Sequence, residues 1–334
     1  MFPLWIFGVI IVIFSIFVKV IGTVIQKISH KKKNGKKYCR NIYWVAGFTL
    51  TVSGSFIDLA ALALAPQSLI ASLGGLTLVV NVLIARMILG EVLKRKQYIA
   101  TVTILSGTIL TVLYAPKLGK DKSIEEVKDI FESVRFLLYI IMAGGVLLTV
   151  RYFNWHLGDE YEKTKSILVP ISSGMMAAQN MFFGKILMTM VRYSIENTTA
   201  EVFKNYIFYM TLGILIFTII MYTRWLNNAL EKHRITLVYP VTKCVWILTS
   251  IFAGLFVLQE DFKKAKSENE EGYKDGDEIL YGLGIVFIIL GLIYYAHLED
   301  VEELSIRDSK TREEESDSLG EVIEEELEVV VGDG

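Results

Sequence analysis

Three ionisable side chains lie deep inside long apolar runs, and they are the residues that could do chemistry. Asp58 stands alone in SFIDLAALALAP, Lys185 in FFGKIL and Lys243 in YPVTKCVW. A charge in the middle of a bilayer costs about 2.5 to 3.5 kcal/mol on insertion scales. Each of the three is therefore expected to pair with an opposite charge or to line a water-filled cavity. An ion pair between Asp58 and Lys185, which have similar predicted depths, is the structural alternative to a transport site.

Hydroxyl and amide side chains accompany these charges and complete a candidate pathway. Mg2+ prefers a few carboxylates plus retained waters, so Asp58 is the candidate metal ligand. Two lysines would instead suit an anionic organic metabolite, and the residues alone favour that alternative slightly. The candidate pathway residues are Asp58, Ser55, Asn81, Asn180, Lys185 and Lys243, and no catalytic residue is predicted.

Four other residues in the apolar runs have simpler explanations. Lys19 and Arg86 fall near the predicted cytosolic helix ends, where we expect their side chains to snorkel toward the headgroups. Pro170 and Pro240 each remove a helix hydrogen bond and free a carbonyl. A freed carbonyl in a cavity can bind a cation, although a plain kink is the commoner outcome.

Long apolar blocks must position these side chains, and they predict an all-α integral membrane protein. Of the 334 residues, 53% are hydrophobic, in blocks whose length matches the thickness of a bilayer. The nine predicted spanning helices are residues 2–25, 43–64, 67–89, 97–115, 136–153, 166–191, 206–222, 235–258 and 279–297.

The chain has a weak internal repeat. Shifted by 169 residues, the run from Ala65 to Glu91 aligns with the run from Arg234 to Glu260. The third and eighth spans would cross in opposite directions, which predicts an inverted repeat of four plus five helices with the fifth span unpaired. The predicted domains are residues 1–115 (first half, four helices), 116–134 (extracytosolic linker), 135–298 (second half, five helices) and 299–334 (acidic disordered cytosolic tail).

The distribution of charge predicts the orientation. Seven Lys and Arg residues between positions 26 and 41 place the first loop in the cytosol. The N-terminus would then lie outside and the C-terminus, after nine crossings, in the cytosol. Residues 299–334 hold 15 acidic and three basic residues, which is typical of a solvated, disordered extension.

The sequence has no recognisable catalytic constellation. It lacks a glycine-rich phosphate loop, an HExxH motif and a Gly-x-Ser-x-Gly motif, and its four histidines fall in predicted loops or at a helix end. An enzyme or an ATP-driven pump is therefore not expected. A non-transporting scaffold that recruits partners through the acidic tail is a third hypothesis for the same features.

Two blocks of sequence follow a known family pattern. In the first half the matching positions are Ala65–Pro66, Leu73–Gly74–Gly75 and Glu91, and in the second half the matching block is RWLNNALEKHRITLVYPVTKCVWILTSIFAGLFVLQED. Together they resemble the NIPA-like magnesium transporters of the drug/metabolite transporter superfamily, and Lys185 falls at or near a lysine of that family's sixth helix. The resemblance covers residues 1–298. It implies the ten-helix fold of the superfamily less one helix, with Mg2+ transport as the activity.

The chain departs from this family at the membrane acid. The family pattern has Gly-Glu in the middle of helix two and Asn three residues later, whereas this chain has Gly54–Ser55 and then Asp58. Asp58 would be the family's acid displaced by nearly one turn, on about the same helix face. Lys243 replaces a common tyrosine, and its charge would repel Mg2+ in a region of low dielectric constant.

The resemblance also implies the setting of the protein. We expect a multi-pass protein of the plasma membrane or an endosomal membrane, in contact with the lipid bilayer, which carries Mg2+ by alternating access around a midplane site. Mg2+ is then the transported ion, and no resident cofactor and no nucleic-acid partner are expected. A homodimer is left open.

Overall fold

The structure is all-helical over the residues it describes. It is a computed structural model that describes residues 4–31, 42–89, 95–116, 123–157, 161–232, 235–260 and 276–294. In these ranges the α-helices are α1 (Leu4–Lys31), α2 (Ile42–Leu64), α3 (Gln67–Ser72), α4 (Leu76–Leu89), α5 (Arg95–Tyr114), α6 (Ile124–Glu132), α7 (Val134–His156), α8 (Glu162–Glu196), α9 (Tyr206–Lys232), α10 (Ile235–Phe256) and α11 (Asp277–Tyr294). The predicted acidic tail, most of the basic first loop and Glu91 lie outside the described residues.

Helices occupy the described part of every predicted span. Five of them are long and apolar enough to cross a membrane: Leu4–Ile25, Ile42–Leu64, Val134–His156, Tyr206–Leu226 and Asp277–Tyr294. Shorter apolar helices cover Gln67–Val80, Tyr98–Tyr114 and Val241–Phe256. The chain is a multi-pass integral membrane protein, while the count of nine crossings and the inverted repeat stay predictions.

Helices α1 and α2 pack antiparallel along a stripe of small residues. Gly8, Ser15 and Gly22 recur every seven residues on α1 and face α2. A Cβ added to Gly22 would lie 2.7 Å from the carbonyl oxygen of Gly47, and one added to Gly8 would lie 2.6 Å from Cβ of Ala65. Small residues let helix backbones approach closely in a bilayer, where hydrophobicity does not drive association.

The third predicted span is not one helix. It divides into α3, a 3-10 turn at Leu73–Gly75 and α4, and every residue of α3 is buried. Gly74 is required at the turn because an added Cβ would lie 2.0 Å from the ring of Trp246 on α10. The 3-10 turn therefore lets a tryptophan of the second half pack directly against the backbone of the first half.

The second half is organised around α8, which packs against α9, α10 and α7. The helices α8 and α10 run without a break through Pro170 and Pro240, so neither proline ends its helix. On α7 only Tyr139 is buried, and this helix is the span that the predicted repeat would leave without a partner. The predicted linker also contains α6, whose Val127 and Ile130 are buried in the core of the second half.

Candidate functional site

The deep carboxylate of Asp58 is paired, but with a partner that the sequence did not suggest. Lys19 of α1 donates from Nζ to one oxygen of Asp58, and the Ser15 hydroxyl donates to the other. The structural alternative of an Asp58–Lys185 pair is therefore wrong, and so is the expectation that Lys19 snorkels to an interface. The side chain of Lys19 extends toward α2 because the carboxylate of Asp58 on that helix is close enough to compensate its charge.

The glycine one turn before Asp58 makes this pair possible. A Cβ added to Gly54 would lie 2.4 Å from Cγ of Lys19, so the lysine stem crosses α2 where a side chain is missing. The Ser15 hydroxyl also contacts the carbonyl oxygen of Gly54 at 2.8 Å. The side chains of Lys19 and Asp58 keep 23% and 33% of their exposure, so the pair is only partly enclosed. We call Ser15, Lys19, Gly54 and Asp58 the Asp58 cluster.

Lys243 lies near this cluster without bonding to it. Its ammonium stands 4.4 Å from the centroid of the Trp246 ring, in a cation–π contact. It is also within electrostatic range of both Lys19 and Asp58. Two cations and one anion thus share this region, and the local charge of the three groups is positive.

The other predicted pathway residues are not brought to Asp58 by any observed contact. Ser55 is exposed, and its hydroxyl donates back to the carbonyl oxygen of Thr51 on its own helix. Asn180 has a buried side-chain oxygen without a hydrogen-bond partner among the described residues. Asn81 lies in α4, but its side chain is outside the described part of the structure.

Lys185 binds the backbone of the first half and not Asp58. Its ammonium donates to the carbonyl oxygens of Leu62 (2.7 Å) and Ala65 (2.8 Å), at the end of α2. In a continuous helix the carbonyl of Leu62 would accept from residue 66, but Pro66 has no N–H. Lys185 supplies the missing donor and places a cation at the negative end of the helix dipole.

Arg192 and Glu260 also bind backbone groups at this helix break. Arg192 donates from Nη1 to the carbonyl oxygen of Ala63 at 3.0 Å. The carboxylate of Glu260 accepts from the backbone N–H groups of Gln67 (2.6 Å) and Ser68 (2.8 Å), which begin α3. Opposite charges therefore face opposite helix ends, in the sense that the dipoles of α2 and α3 favour.

The break and its three charged partners form one unit, which we call the Pro66 clamp. Its members are Pro66, Lys185, Arg192 and Glu260. The sequence pattern singled out Ala65–Pro66 and the glutamate that closes the predicted repeat, and it predicted Lys185 as a pathway residue, but nothing in it predicted Arg192. Pro66 was a sequence signal for such donors, because a proline after an apolar helix leaves carbonyl groups that need hydrogen-bond donors when they are buried.

The described residues contain no group of three or more His, Cys, Asp or Glu side chains that could hold a metal ion. A divalent cation in this part of the chain would depend on one carboxylate, backbone and hydroxyl oxygens, and its own waters.

A family profile described as "Magnesium transporter NIPA" matches residues 4–297. The chain belongs to this family. The match contains the whole Asp58 cluster and the whole Pro66 clamp.

Individual relatives agree with the family match. The chain is 29% identical over 258 residues to NIPA-like protein 2 of Mus musculus, covering 76% of this chain and 66% of the relative. It is 23% identical over 283 residues to probable magnesium transporter NIPA8 of Arabidopsis thaliana, covering 77% and 63%. It is 22% identical over 268 residues to magnesium transporter NIPA4 of Mus musculus, covering 80% and 63%.

The matched regions span about two thirds of the length of these relatives. No solved structure matches the chain. The family assignment therefore rests on sequence, and the residue contacts described above come from this structure alone.

Proposed function

We propose that the protein carries Mg2+ across a membrane as a transporter of the NIPA type. The observation that carries this proposal is the family match over residues 4–297, together with relatives whose names describe magnesium transporters. The multi-pass helical architecture is what such an activity needs, because a hydrated divalent ion does not cross hydrocarbon unaided.

We propose alternating access between two inverted halves that make nine crossings. Two features of the packing support this. In the first half α1 packs against α2 and α4, and in the second half α8 packs against α9 and α10, as a repeat would require. The start of α1 also meets the end of α2 at Gly8 and Ala65, and the start of α3 meets the end of α10 through Glu260.

Asp58 is the proposed metal ligand on the pathway. In the structure its two oxygens are satisfied by Lys19 and Ser15, so an arriving cation must compete with the lysine ammonium. Because the lysine stem is flexible and the pair is partly exposed, Nζ can swing away while Mg2+ keeps most of its waters and binds the carboxylate. We keep Ser55, Asn81 and Asn180 as proposed polar groups of the same route. Lys185 belongs to the clamp in this proposal.

A second candidate function is the transport of an anionic organic metabolite. One specific observation favours it: Lys19 and Lys243 lie in one region with a single carboxylate, so the region is positively charged. Positive potential in a low-dielectric environment attracts anions and repels Mg2+. The family match weighs more, because it covers both halves of the chain.

The orientation and the membrane follow the sequence argument. We propose an extracytosolic N-terminus and a cytosolic C-terminus, in the plasma membrane or an endosomal membrane. The Pro66 clamp would then lie at the extracytosolic end, since α2 runs outward from the basic first loop.

The deciding experiment is Mg2+ uptake into proteoliposomes containing the purified full-length chain and an entrapped Mg2+ indicator. We expect uptake by the parent, loss of uptake in Asp58→Asn, and equal or faster uptake in Lys243→Tyr because one repelling charge is removed. Asp129→Asn is the matched control, since Asp129 is an exposed acid on α6. A parent that moves no divalent cation contradicts the proposal, and anionic metabolites should then be screened with Lys19→Met and Lys243→Tyr as the test variants.

A further inference from the structure

The Pro66 clamp joins the two halves of the molecule. Its three charged side chains come from the second half, from α8 and from the turn after α10, and all of them bind backbone groups of α2 and α3 in the first half. Gln67 adds another link by donating from Nε2 to the carbonyl oxygen of Ser250 at 2.8 Å. The halves are thus held together at this end by bonds to charged groups, which are stronger than bonds between neutral groups.

The clamp lies directly beyond the Asp58 cluster. Leu62, whose carbonyl binds Lys185, follows Asp58 by one helical turn on α2. Gly184, next to Lys185, packs so closely on α2 that an added Cβ would lie 2.9 Å from Leu59. In the proposed path, an ion that leaves Asp58 toward the Pro66 end reaches the place where the clamp bonds α2 and α3 to α8 and to the end of α10.

Three neutral groups beside the clamp would gain hydrogen bonds from contact with water. The side-chain oxygens Gln67 Oε1, Ser68 Oγ and Ser250 Oγ are buried and have no hydrogen-bond partner among the described residues. Glu260, Lys185 and Arg192 would be hydrated if the halves separated. The closed arrangement satisfies the charges and leaves these neutral groups unsatisfied, whereas an open, wet arrangement would satisfy both. Such a contact can have two stable states.

We infer that Lys185, Arg192 and Glu260 form a gate that closes the Pro66 end of the transport path and opens by releasing the backbone of the α2–α3 break. This inference rests on the proposed function for alternating access, but not on the identity of the substrate. The three residues are positioning residues, because they act on the path through the helix break and do not touch the transported ion.

Cysteine accessibility tests the gate without any substrate. The full chain, with Cys39→Ser and Cys244→Ser, is placed in nanodiscs and carries one reporter at a time. Ser72→Cys, in buried α3, reports the Pro66 end, and Val238→Cys, at a buried position near the start of α10, reports the opposite end. Each reporter is reacted with a charged, membrane-impermeant maleimide. Glu260→Gln is the test variant, and Glu132→Gln, an exposed glutamate on α6, is the matched control.

Loss of the Glu260 charge should open one end only. We expect labelling of Ser72→Cys to become faster by about tenfold, and labelling of Val238→Cys to stay the same or slow down, because the two ends open alternately. A rise at both reporters would mean a loosened fold and would overturn the inference, as would no change at Ser72→Cys. If Glu260→Gln does not fold, Lys185→Met and Arg192→Met take its place with the same expectations.

The outcome separates the gate from the proposed substrate. Opening at one end in a parent chain that moves no Mg2+ supports the gate and removes the magnesium proposal. Mg2+ uptake by a parent whose reporters do not respond to Glu260→Gln supports magnesium transport and overturns the gate. In a transporting parent, Glu260→Gln should lower the maximal rate of uptake and leave the Mg2+ concentration for half-maximal rate nearly unchanged.

Discussion

The Asp58 cluster and the Pro66 clamp are both charged and both inside the helical bundle, but they satisfy their charges differently. In the cluster, side chains pair with one another, Lys19 with Asp58. In the clamp, Lys185 and Arg192 bind backbone carbonyl oxygens and Glu260 binds backbone N–H groups, while Arg192 also forms an ion pair with Glu196 one turn along α8. A side-chain partner can be exchanged for a mobile ion of the same charge. A backbone partner belongs to the helix and can only be released by moving the helix.

The two carboxylates differ in burial in the same direction. The side chain of Asp58 keeps 33% of its exposure, whereas Glu260 is buried; Lys185 and Arg192 are half-buried, like Lys19. A partly exposed ion pair is screened by water and is weak enough to be opened by a competing cation. A buried carboxylate with two amide donors is held firmly because the alternative is three unsatisfied groups. This difference supports the proposed ion exchange at the cluster and the proposed gate at the clamp.

The largest effect should come from removing the clamp carboxylate. Glu260→Ala leaves the N–H groups of Gln67 and Ser68 without acceptors in a buried helix, so we expect the free energy of unfolding to fall by about 3 kcal/mol. Unfolding of the purified protein in mixed micelles with increasing SDS measures this change. Glu132→Ala is the control, since its partner Lys128 is on the same exposed helix face, and it should change little. Equal effects of the two variants would show that Glu260 does not stabilise the break.

Matched glycine substitutions compare how tightly each region is packed. A Cβ at Gly254 would lie 2.7 Å from Oε2 of Glu260 and 3.2 Å from the backbone nitrogen of Ser68, and a Cβ at Gly54 would lie 2.4 Å from Cγ of Lys19 and 3.3 Å from the carbonyl oxygen of Ser15. We expect Gly254→Ala to destabilise by about 2 kcal/mol and Gly54→Ala by about 1 kcal/mol, because two backbone N–H groups hold the Glu260 carboxylate in place whereas the lysine stem can move aside.

The control for both substitutions is Gly213→Ala in α9, where nothing lies within 4 Å of an added Cβ. Alanine has the higher helix propensity, so this variant should be neutral or slightly stabilising. The reverse order, with Gly54→Ala more damaging than Gly254→Ala, would contradict the distinction between a flexible cluster and a rigid clamp.

Much of the fold was readable from the sequence, because hydropathy over a span depends on residue type alone. The residues that bind the charged side chains inside the helices could not be predicted in this way. Predicted depth places Asp58 level with Lys185 and away from Lys19, which falls near the cytosolic end of its span. The true partner, Lys19, is set by the heptad stripe of Gly8, Ser15 and Gly22 that packs α1 against α2. The clamp was harder still, since a side chain that binds backbone leaves no complementary residue in the sequence to find. Pro66 was the one local sign of it.

A pair of double-mutant cycles tests the difference in partners directly. For Lys19→Met and Asp58→Asn we expect a coupling energy of about 1 kcal/mol, because each single variant leaves the other charge uncompensated in a partly buried place. For Lys185→Met and Glu260→Gln the coupling should be near zero, since each side chain has its own backbone partners. SDS unfolding of the four variants and two double variants gives both values. Strong coupling in the second cycle would mean that the clamp is an ion pair after all.

The smallest effect isolates what Lys185 does at the break. Pro66→Ala restores the N–H that the carbonyl of Leu62 lacks, and alone it should change the free energy of unfolding by less than about 0.5 kcal/mol. In the Pro66→Ala background, Lys185→Met should lower the free energy of unfolding by less than it does in the parent, because the carbonyl of Leu62 already has a donor within its own helix. The difference between the two costs, measured by SDS unfolding, is the contribution of that one carbonyl. An identical cost in both backgrounds would place the stabilising contact of Lys185 at Ala65 alone, and the backbone argument for Pro66 would fail.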